Sequence, residues 1–157
     1  MTSGKIKRIG VLTSGGDCAG LNAAIRAVVQ RAIRGYGWEV LGIKEGTRGL
    51  LDRPLRYEEL SLRIFTGNIL RMGGTILGTV NKGDPFAYDM PDGTVEDRSQ
   101  AFVDGIHELG LDGLIGIGGD GSMKILSRLA RQGGFPFIGI PKTIDNDVPF
   151  TEFSIGF

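Results

Sequence analysis

Two short apolar runs on either side of an amphipathic segment constrain the fold of this chain most. Residues 9–12 and 38–43 are apolar stretches of strand length, and residues 21–33 between them carry apolar side chains at intervals of three and four. That spacing is typical of a helix with one buried face. A strand, a helix and a second strand in this order predict a parallel strand pair joined by a right-handed crossover.

Predicted helices and strands also alternate in the second half of the chain. Helices are predicted over residues 99–109 and 122–131, and strands over residues 114–117 and 137–140. The intervening region is mixed: one or two short helices are predicted within 57–69, a loop with a short extended piece within 73–86, and a turn at Asp92-Gly93. The predicted fold is therefore α/β, with an open, mostly parallel sheet and helices on both faces, as in Rossmann-like domains.

Composition excludes several classes of protein. Eighteen basic and eighteen acidic residues give zero net charge, so no basic field exists to attract nucleic acid or an anionic membrane. No apolar run approaches the roughly 20 residues that span a bilayer. The single cysteine, Cys18, cannot form an intrachain disulfide and, with only His107 besides, leaves too few ligands for a structural zinc site. We therefore expect a cytoplasmic protein.

Glycine-rich loops follow two of the predicted strands. Glycine makes up 27 of 157 residues, well above the average of about 7%, and it is frequent in Gly15-Gly16-Asp17 and in residues 118–122. Glycine lets the backbone approach a phosphate closely, and the helix N-terminus that follows attracts anions. Asp120 stands between glycines and is a candidate ligand for Mg²⁺. The first loop alone is equally compatible with an ordinary turn, because it is neither a Walker A loop nor a complete G-x-G-x-x-G motif. For the second loop, the alternative interpretation is an Asp or Ser that caps the following helix.

Polar residues also follow the last predicted strand, in the segment Pro-Lys-Thr-Ile-Asp-Asn-Asp at residues 141–147. Ligands of open α/β sheets bind outside the carboxyl ends of the strands. Thr143, Asp145 and Asp147 could there hold a metal ion, or a carboxylate could accept a proton as general base. A plain Asx turn is the alternative interpretation. Three such loops at one sheet edge predict a single phosphate-handling site.

Together these motifs resemble those of the phosphofructokinase family. The resemblance covers nearly the whole chain, through residues 9–17, 20–26, 73–78, 117–122, 141–147 and 154–157. It implies a glycolytic enzyme that transfers the γ-phosphoryl group of ATP to the 1-hydroxyl of fructose 6-phosphate, with Mg²⁺ as cofactor. Positioning and charge stabilisation outweigh covalent chemistry in such a reaction.

The resemblance also implies roles for individual residues. The residues that it implies in nucleotide binding are Gly16, Lys82, Gly119, Asp120, Gly121 and Ser122. Among them, Asp120 is the implied metal ligand. Asp145 accepts the proton of the sugar hydroxyl, and Thr143 and Asp147 position phosphate or metal. Thr143, Ile144 and Asp145 contact the substrate.

Two positions bear on the phosphoryl donor. Family members that use ATP usually carry glycine at the position of Lys142, whereas pyrophosphate-dependent members typically carry lysine there and aspartate at the position of Gly121. This chain combines Gly121 with Lys142. Glycine at 121 leaves room for a nucleotide, so ATP is the expected donor and pyrophosphate the alternative.

At two further positions, this chain lacks a charged residue that is common in the family. Asn81, followed by Lys82, stands where many bacterial members have an arginine, and Lys82 offers a point charge without the bidentate fork. Arg26 matches the family's effector pattern, but Gln30 stands where another arginine is common. That replacement weakens the expectation of allosteric control.

The resemblance assigns residues 1–157 to the N-terminal, donor-binding and catalytic-loop region of a family member. It places most sugar-phosphate contacts in a second domain that is absent from this chain, so we expect little or no kinase activity from the chain alone. A homo-oligomer, either dimer or tetramer, is expected at full length. A non-catalytic nucleotide-binding fragment is the alternative from another functional class.

Overall fold

The computed structural model describes residues 7–157 and contains one five-stranded sheet in the order β3-β2-β1-β6-β7. The strands are β1 (Arg8–Ser14), β2 (Glu39–Ile43), β3 (Tyr57–Glu59), β6 (Gly113–Gly118) and β7 (Phe137–Pro141). β1 pairs in parallel with β2 and with β6, β6 pairs in parallel with β7, and only β3 is antiparallel. The mostly parallel α/β sheet that the sequence predicts is therefore confirmed. The first six residues of the predicted domain lie outside the described residues.

Helices cover both faces of the sheet. On one face, α1 (Leu21–Gln30) continues into a π-helical turn at Arg31–Gly35 and buries Leu21, Ile25 and Val29, which are spaced four residues apart. The other face is covered by α2 (Arg48–Leu51), α3 (Ser99–Glu108) and α4 (Asp120–Gly133), which pack around Phe102, Ile106 and Leu126. Each face thus has its own apolar core. Among the described residues, no helix is both long and apolar enough to span a membrane.

The chain changes direction across the sheet between β1 and β6. From β1 it runs through α1 to β2 on one side, whereas β6 and β7 lie on the other side. The helices that follow β1 and β6 consequently pack on opposite faces of the sheet. The carboxyl ends of β1 and β6 thus form a topological switch point, where open α/β sheets bind their ligands.

The predictions for the middle of the chain are partly wrong. Residues 57–59 form the antiparallel edge strand β3 and not a helix, and a 3₁₀ helix occupies Gly67–Arg71. The predicted turn at Asp92-Gly93 is confirmed, but it connects an unpredicted hairpin of β4 (Tyr88–Asp89) and β5 (Val95–Glu96). α4 begins at Asp120, two residues before the predicted start, so the glycine loop itself forms the first helical turn.

Candidate active site

A cavity of about 560 Å³ opens at the carboxyl ends of β1, β6 and β7. The three loops singled out in the sequence meet there, and the segment that runs from Val80 to Asp84 closes another side. Most of the predicted site residues line this cavity, namely Gly16, Lys82, Gly119, Asp120, Gly121, Ser122, Lys142, Thr143, Ile144 and Asp147. Asp145 and Arg26 are not part of the lining.

The loop after β1 is fixed by backbone hydrogen bonds. Gly15 has a left-handed conformation with φ of 88°, which favours glycine at this position. Its N–H donates to the carbonyl of Val80 at 3.2 Å, and its carbonyl accepts from Thr79 Oγ1 at 2.6 Å. These bonds tie the loop to the 79–80 segment and so set one wall of the cavity.

The N-terminus of α4 forms another wall of the cavity, next to the loop after β1. Gly119 is the N-cap residue, and no side chain caps the helix, so its first N–H groups are available to an anion. Ser122 Oγ donates to Ser14 Oγ at 3.0 Å and connects this turn to the end of β1. Gly118 permits that contact, because a Cβ atom there would lie 2.7 Å from Ser122 Cβ.

Asp120, in the first turn of α4, pairs with a neighbouring lysine. Its Oδ2 lies 2.7 Å from Lys124 Nζ, and both side chains are substantially exposed. Within residues 7–157, no cluster of three or more His, Cys, Asp or Glu side chains could hold a metal ion. Asp120 could therefore contribute a single carboxylate to a hard cation such as Mg²⁺.

Lys142 is the buried cation of the cavity. Its side chain is only 6% exposed, and its Nζ donates to the carbonyl of Gly16. In the part of the chain that the structure describes, no carboxylate forms a salt bridge with this ammonium group. A buried charge without a counter-charge is unfavourable, so an anion in the cavity would stabilise Lys142.

The loop after β7 is ordered by its own side chains. Thr143 Oγ1 donates to Asp147 Oδ1 at 2.9 Å and accepts from the N–H of Asp145 at 3.2 Å. Asn146, with φ of 53°, bonds through its amide to Glu152 O and to the N–H of Ser154. These bonds hold the Asp145 backbone, while its carboxylate is exposed and has no hydrogen-bond or salt-bridge partner within residues 7–157.

Cys18 also lines the cavity, although it was not predicted as a site residue. Burial raises the pKa of the Cys18 thiol above its ordinary value of 9.0, and the positive charge of Lys142 opposes that rise. The thiol is therefore protonated at neutral pH and is a weak nucleophile.

Several residues of the cavity lining were not predicted from the sequence. They include Thr47, Val80, Asp84 and Ile125, none of which belongs to a glycine-rich motif. Ile125 could have been inferred, because it lies one turn beyond the predicted start of the α4 helix. Arg26 lies on α1 outside the cavity, so its proposed effector role stays a prediction.

The fold and the cavity define an open α/β domain with a crevice at the switch point. The chain belongs to the phosphofructokinase family, since the family model described as phosphofructokinase matches residues 8–157. It is 62% identical over 154 residues to "ATP-dependent 6-phosphofructokinase 1" of Synechocystis sp., a match that covers 98% of this chain and 42% of that protein. A Nostoc sp. protein of the same name is 59% identical over 153 residues, with the same coverage of both chains. This chain thus spans about two fifths of the length of these curated relatives.

Solved structures of the family have the same fold. Pichia pastoris phosphofructokinase in the T-state matches with a TM-score of 0.79 at 30% identity, over 97% of this chain and 17% of that chain. A pyrophosphate-dependent phosphofructokinase from Marinobacter aquaeolei matches with a TM-score of 0.72 at 23% identity, over 96% of this chain and 37% of that chain. The second likeness concerns the fold alone.

Proposed function

We propose that this chain forms the donor-binding and catalytic-loop part of an ATP-dependent 6-phosphofructokinase. One observation carries the proposal: the uncapped N-terminus of α4, the Gly16 loop and the buried Lys142 ammonium face one cavity. Backbone N–H groups and a buried cation together provide a preorganised site for a chain of phosphates. The names of the Synechocystis and Nostoc relatives support ATP as the donor.

In the proposed reaction, the 1-hydroxyl oxygen of fructose 6-phosphate forms a bond to the γ-phosphorus of ATP. The bond between that phosphorus and the bridging oxygen breaks, and ADP leaves with the electron pair. Asp145 takes the hydroxyl proton, a role that suits an exposed carboxylate with no partner within residues 7–157. Lys142 and the N–H groups of α4 stabilise the charge on the transferred group.

Within this proposal, Asp120 is the protein ligand of Mg²⁺. The ion would neutralise charge on the donor phosphates. To bind the ion, Asp120 would either break its salt bridge with Lys124 or interact with both the ion and Lys124. Thr143 and Asp147, joined by their 2.9 Å hydrogen bond, position the loop next to the transferred phosphate.

A second candidate function differs in the phosphoryl donor, which would be pyrophosphate and not ATP. A Cβ atom on Gly121 would meet nothing within 4 Å, so packing within the protein does not require glycine and the free space suits a nucleotide. Lys142 favours the alternative, a pyrophosphate-dependent enzyme, because its buried charge would also suit a small dense anion. Lys142→Gly should abolish pyrophosphate use if pyrophosphate is the donor; if ATP is the donor, pyrophosphate use is undetectable in both proteins.

The direct test is formation of fructose 1,6-bisphosphate. Because this chain spans 42% of its Synechocystis relative, residues 8–157 would replace the matching part of that relative in a chimera. We expect the chimera to turn over with Mg²⁺ and ATP, and the matched variant Asp145→Asn to retain ATP binding but lose turnover by at least about a hundredfold. ATP binding without turnover by a folded chimera would favour the non-catalytic fragment instead. Cytoplasmic location and homo-oligomeric assembly of the longer protein belong to the same proposal and rest on the resemblance.

A further inference from the structure

A buried serine lies behind the loop that carries Asp145. Ser154 is 9% exposed and is not part of the cavity lining. Its Oγ donates to the carbonyl of Thr143 at 2.9 Å, and its N–H donates to Oδ1 of Asn146 at 3.1 Å. Ser154 therefore holds the loop at two points, one before Asp145 in the chain and one directly after it.

The backbone next to Ser154 is bonded to the end of β7. The N–H of Ile155 donates to the carbonyl of Pro141, and the N–H of Thr143 donates to the carbonyl of Ile155, both at 3.0 Å. These two bonds form a short parallel bridge between the chain that leaves β7 and the segment that carries Ser154. The position of Ser154 is thus fixed relative to the central sheet.

The Asp145 carboxylate depends on this support, because the protein does not hold it directly. Within residues 7–157 it has neither a hydrogen-bond donor nor a salt-bridge partner, whereas the N–H of Asp145 donates to Thr143 Oγ1 at 3.2 Å. The direction of the carboxylate is consequently set by the backbone of the loop. Asn146 has a left-handed conformation with φ of 53°, which persists where the surroundings hold it in place.

We propose that Ser154 is a positioning residue for phosphoryl transfer, which holds the loop so that the Asp145 carboxylate meets the attacking hydroxyl group. The inference rests on the proposed function, since it requires Asp145 to accept the proton of that hydroxyl. A general base must lie within hydrogen-bond reach of the proton that it removes, and a misplacement of about 1 Å can lower the rate about a hundredfold. Because Ser154 does not line the cavity, its loss should slow the chemical step and leave donor binding unchanged.

The substitution Ser154→Ala tests this role, because it removes the hydroxyl and keeps the N–H that bonds to Asn146. The variant is made in the chimera with the Synechocystis relative, and steady-state kinetics with Mg²⁺, ATP and fructose 6-phosphate give kcat and KM. We expect kcat to fall by about tenfold or more, while KM for ATP changes by less than about twofold.

Two further variants at the same position isolate the hydroxyl group. Ser154→Thr keeps a hydroxyl that can donate to the carbonyl of Thr143, so most of the kcat should be restored. Ser154→Val has nearly the shape of the threonine variant without its hydroxyl, so it should behave like Ser154→Ala. The pair Ser154→Thr and Ser154→Val carries the test if the alanine variant does not fold.

A double-mutant cycle shows whether Ser154 acts through Asp145. In a chimera that already carries Asp145→Asn, the base is absent, so the placement of residue 145 no longer matters for proton removal. We expect Ser154→Ala to cause no further loss of kcat in that background. A general loosening of the fold would instead lower kcat by the same factor in both backgrounds.

The matched control is Ser99→Ala. Ser99 is also a buried serine, its Oγ accepts a hydrogen bond from Gln132 at 3.0 Å, and it lies on α3 outside the cavity lining. Its replacement should leave kcat unchanged. Thermal unfolding establishes that each variant is folded.

The possible outcomes are distinct. A lower kcat for Ser154→Ala that is restored in Ser154→Thr and absent in the Asp145→Asn background supports the inference. An unchanged kcat, the same loss in Ser154→Thr, or an equal loss in both backgrounds overturns the role of Ser154 and leaves the proposed function intact. If the chimera does not turn over, or Asp145→Asn turns over like the unmodified chimera, the proposed function is overturned and this inference with it.

Discussion

Lys142 is a buried lysine on the wall of the cavity. Within residues 7–157, the hydrogen-bond partner of its ammonium group is the backbone carbonyl of Gly16. Such a group contributes little to stability, because desolvation offsets its hydrogen bond. An anion bound in the cavity would supply the missing counter-charge.

The substitution Lys142→Met should therefore weaken MgATP binding without lowering the stability of the fold. Methionine keeps most of the side-chain volume and removes the charge, so we expect a melting temperature that is unchanged or higher. MgATP affinity, measured by calorimetry, should fall by about tenfold or more, because a hydrogen bond to a charged group is worth about 1.5–3 kcal/mol.

The matched control is Lys44→Met. Lys44 Nζ forms a salt bridge of 2.9 Å with Glu58 and does not line the cavity, so this variant should bind MgATP like the unmodified protein. Equal affinity of Lys142→Met and the unmodified protein would show that the buried ammonium does not contact the donor.

Among the elements, the long and periodic ones could be predicted from the sequence. α1, α3 and α4 have apolar stripes, and β1 and β6 are apolar runs with both faces covered, so local pattern and tertiary environment agree. β3 could not be predicted, because its three residues have no buried face and become a strand only by pairing with β2. Short strands depend on such context more than on propensity.

The candidate site, likewise, could be predicted from the sequence only in part. The loops after β1, β6 and β7 could be predicted to meet, because parallel strands end at one sheet edge. The contact between Lys142 and Gly16 could not, because it depends on how far these loops extend over the sheet edge. In the wall from Val80 to Asp84, the family resemblance indicated Lys82, but the segment is irregular and without periodicity, so Val80 and Asp84 were not predicted.

The β4–β5 hairpin should lose stability in acid. Thr94 donates to Asp92 Oδ1 from its N–H at 2.9 Å and from Oγ1 at 2.6 Å, and these bonds hold the pKa of Asp92 below its ordinary value of 3.8. A lowered folded-state pKa gives a contribution that is complete above the unfolded value of 3.8 and is lost as the pH falls through the folded value. Carboxyl NMR titration should give Asp92 a midpoint below 3.8.

Thr94→Val provides the comparison for this titration. It removes the hydroxyl donor and keeps the backbone N–H, so the Asp92 midpoint should rise toward 3.8. A midpoint at or above 3.8 in the unmodified protein would mean that the turn does not form as described.

At the scale of the whole molecule, apolar side chains are exposed around the edge strand β7 and the segment that follows it. They are Ile138, Ile144, Phe150, Phe153 and Phe157. Phe153 and Phe157 stack on each other at 6.1 Å between ring centroids. Exposed apolar surface promotes association when it is extensive.

We expect this chain to associate with itself as its concentration rises, as measured by sedimentation velocity. Phe150→Ser should weaken the association, because Phe150 is fully exposed and its replacement removes apolar area without opening a cavity. Val95→Ser removes an exposed apolar side chain from the hairpin and should leave the association unchanged. A monomer at all concentrations would contradict the expectation.

If the three loops at the switch point form one site for the phosphates of a nucleotide, MgATP should perturb all three loops at once. In amide N–H correlation spectra of labelled protein titrated with MgATP, we expect the resonances of Gly16, Gly119–Ser122 and Thr143 to shift with one dissociation constant. The resonance of Arg26 should not move. No shift at all, or shifts confined to residues away from these loops, would show that the loops do not form one phosphate site.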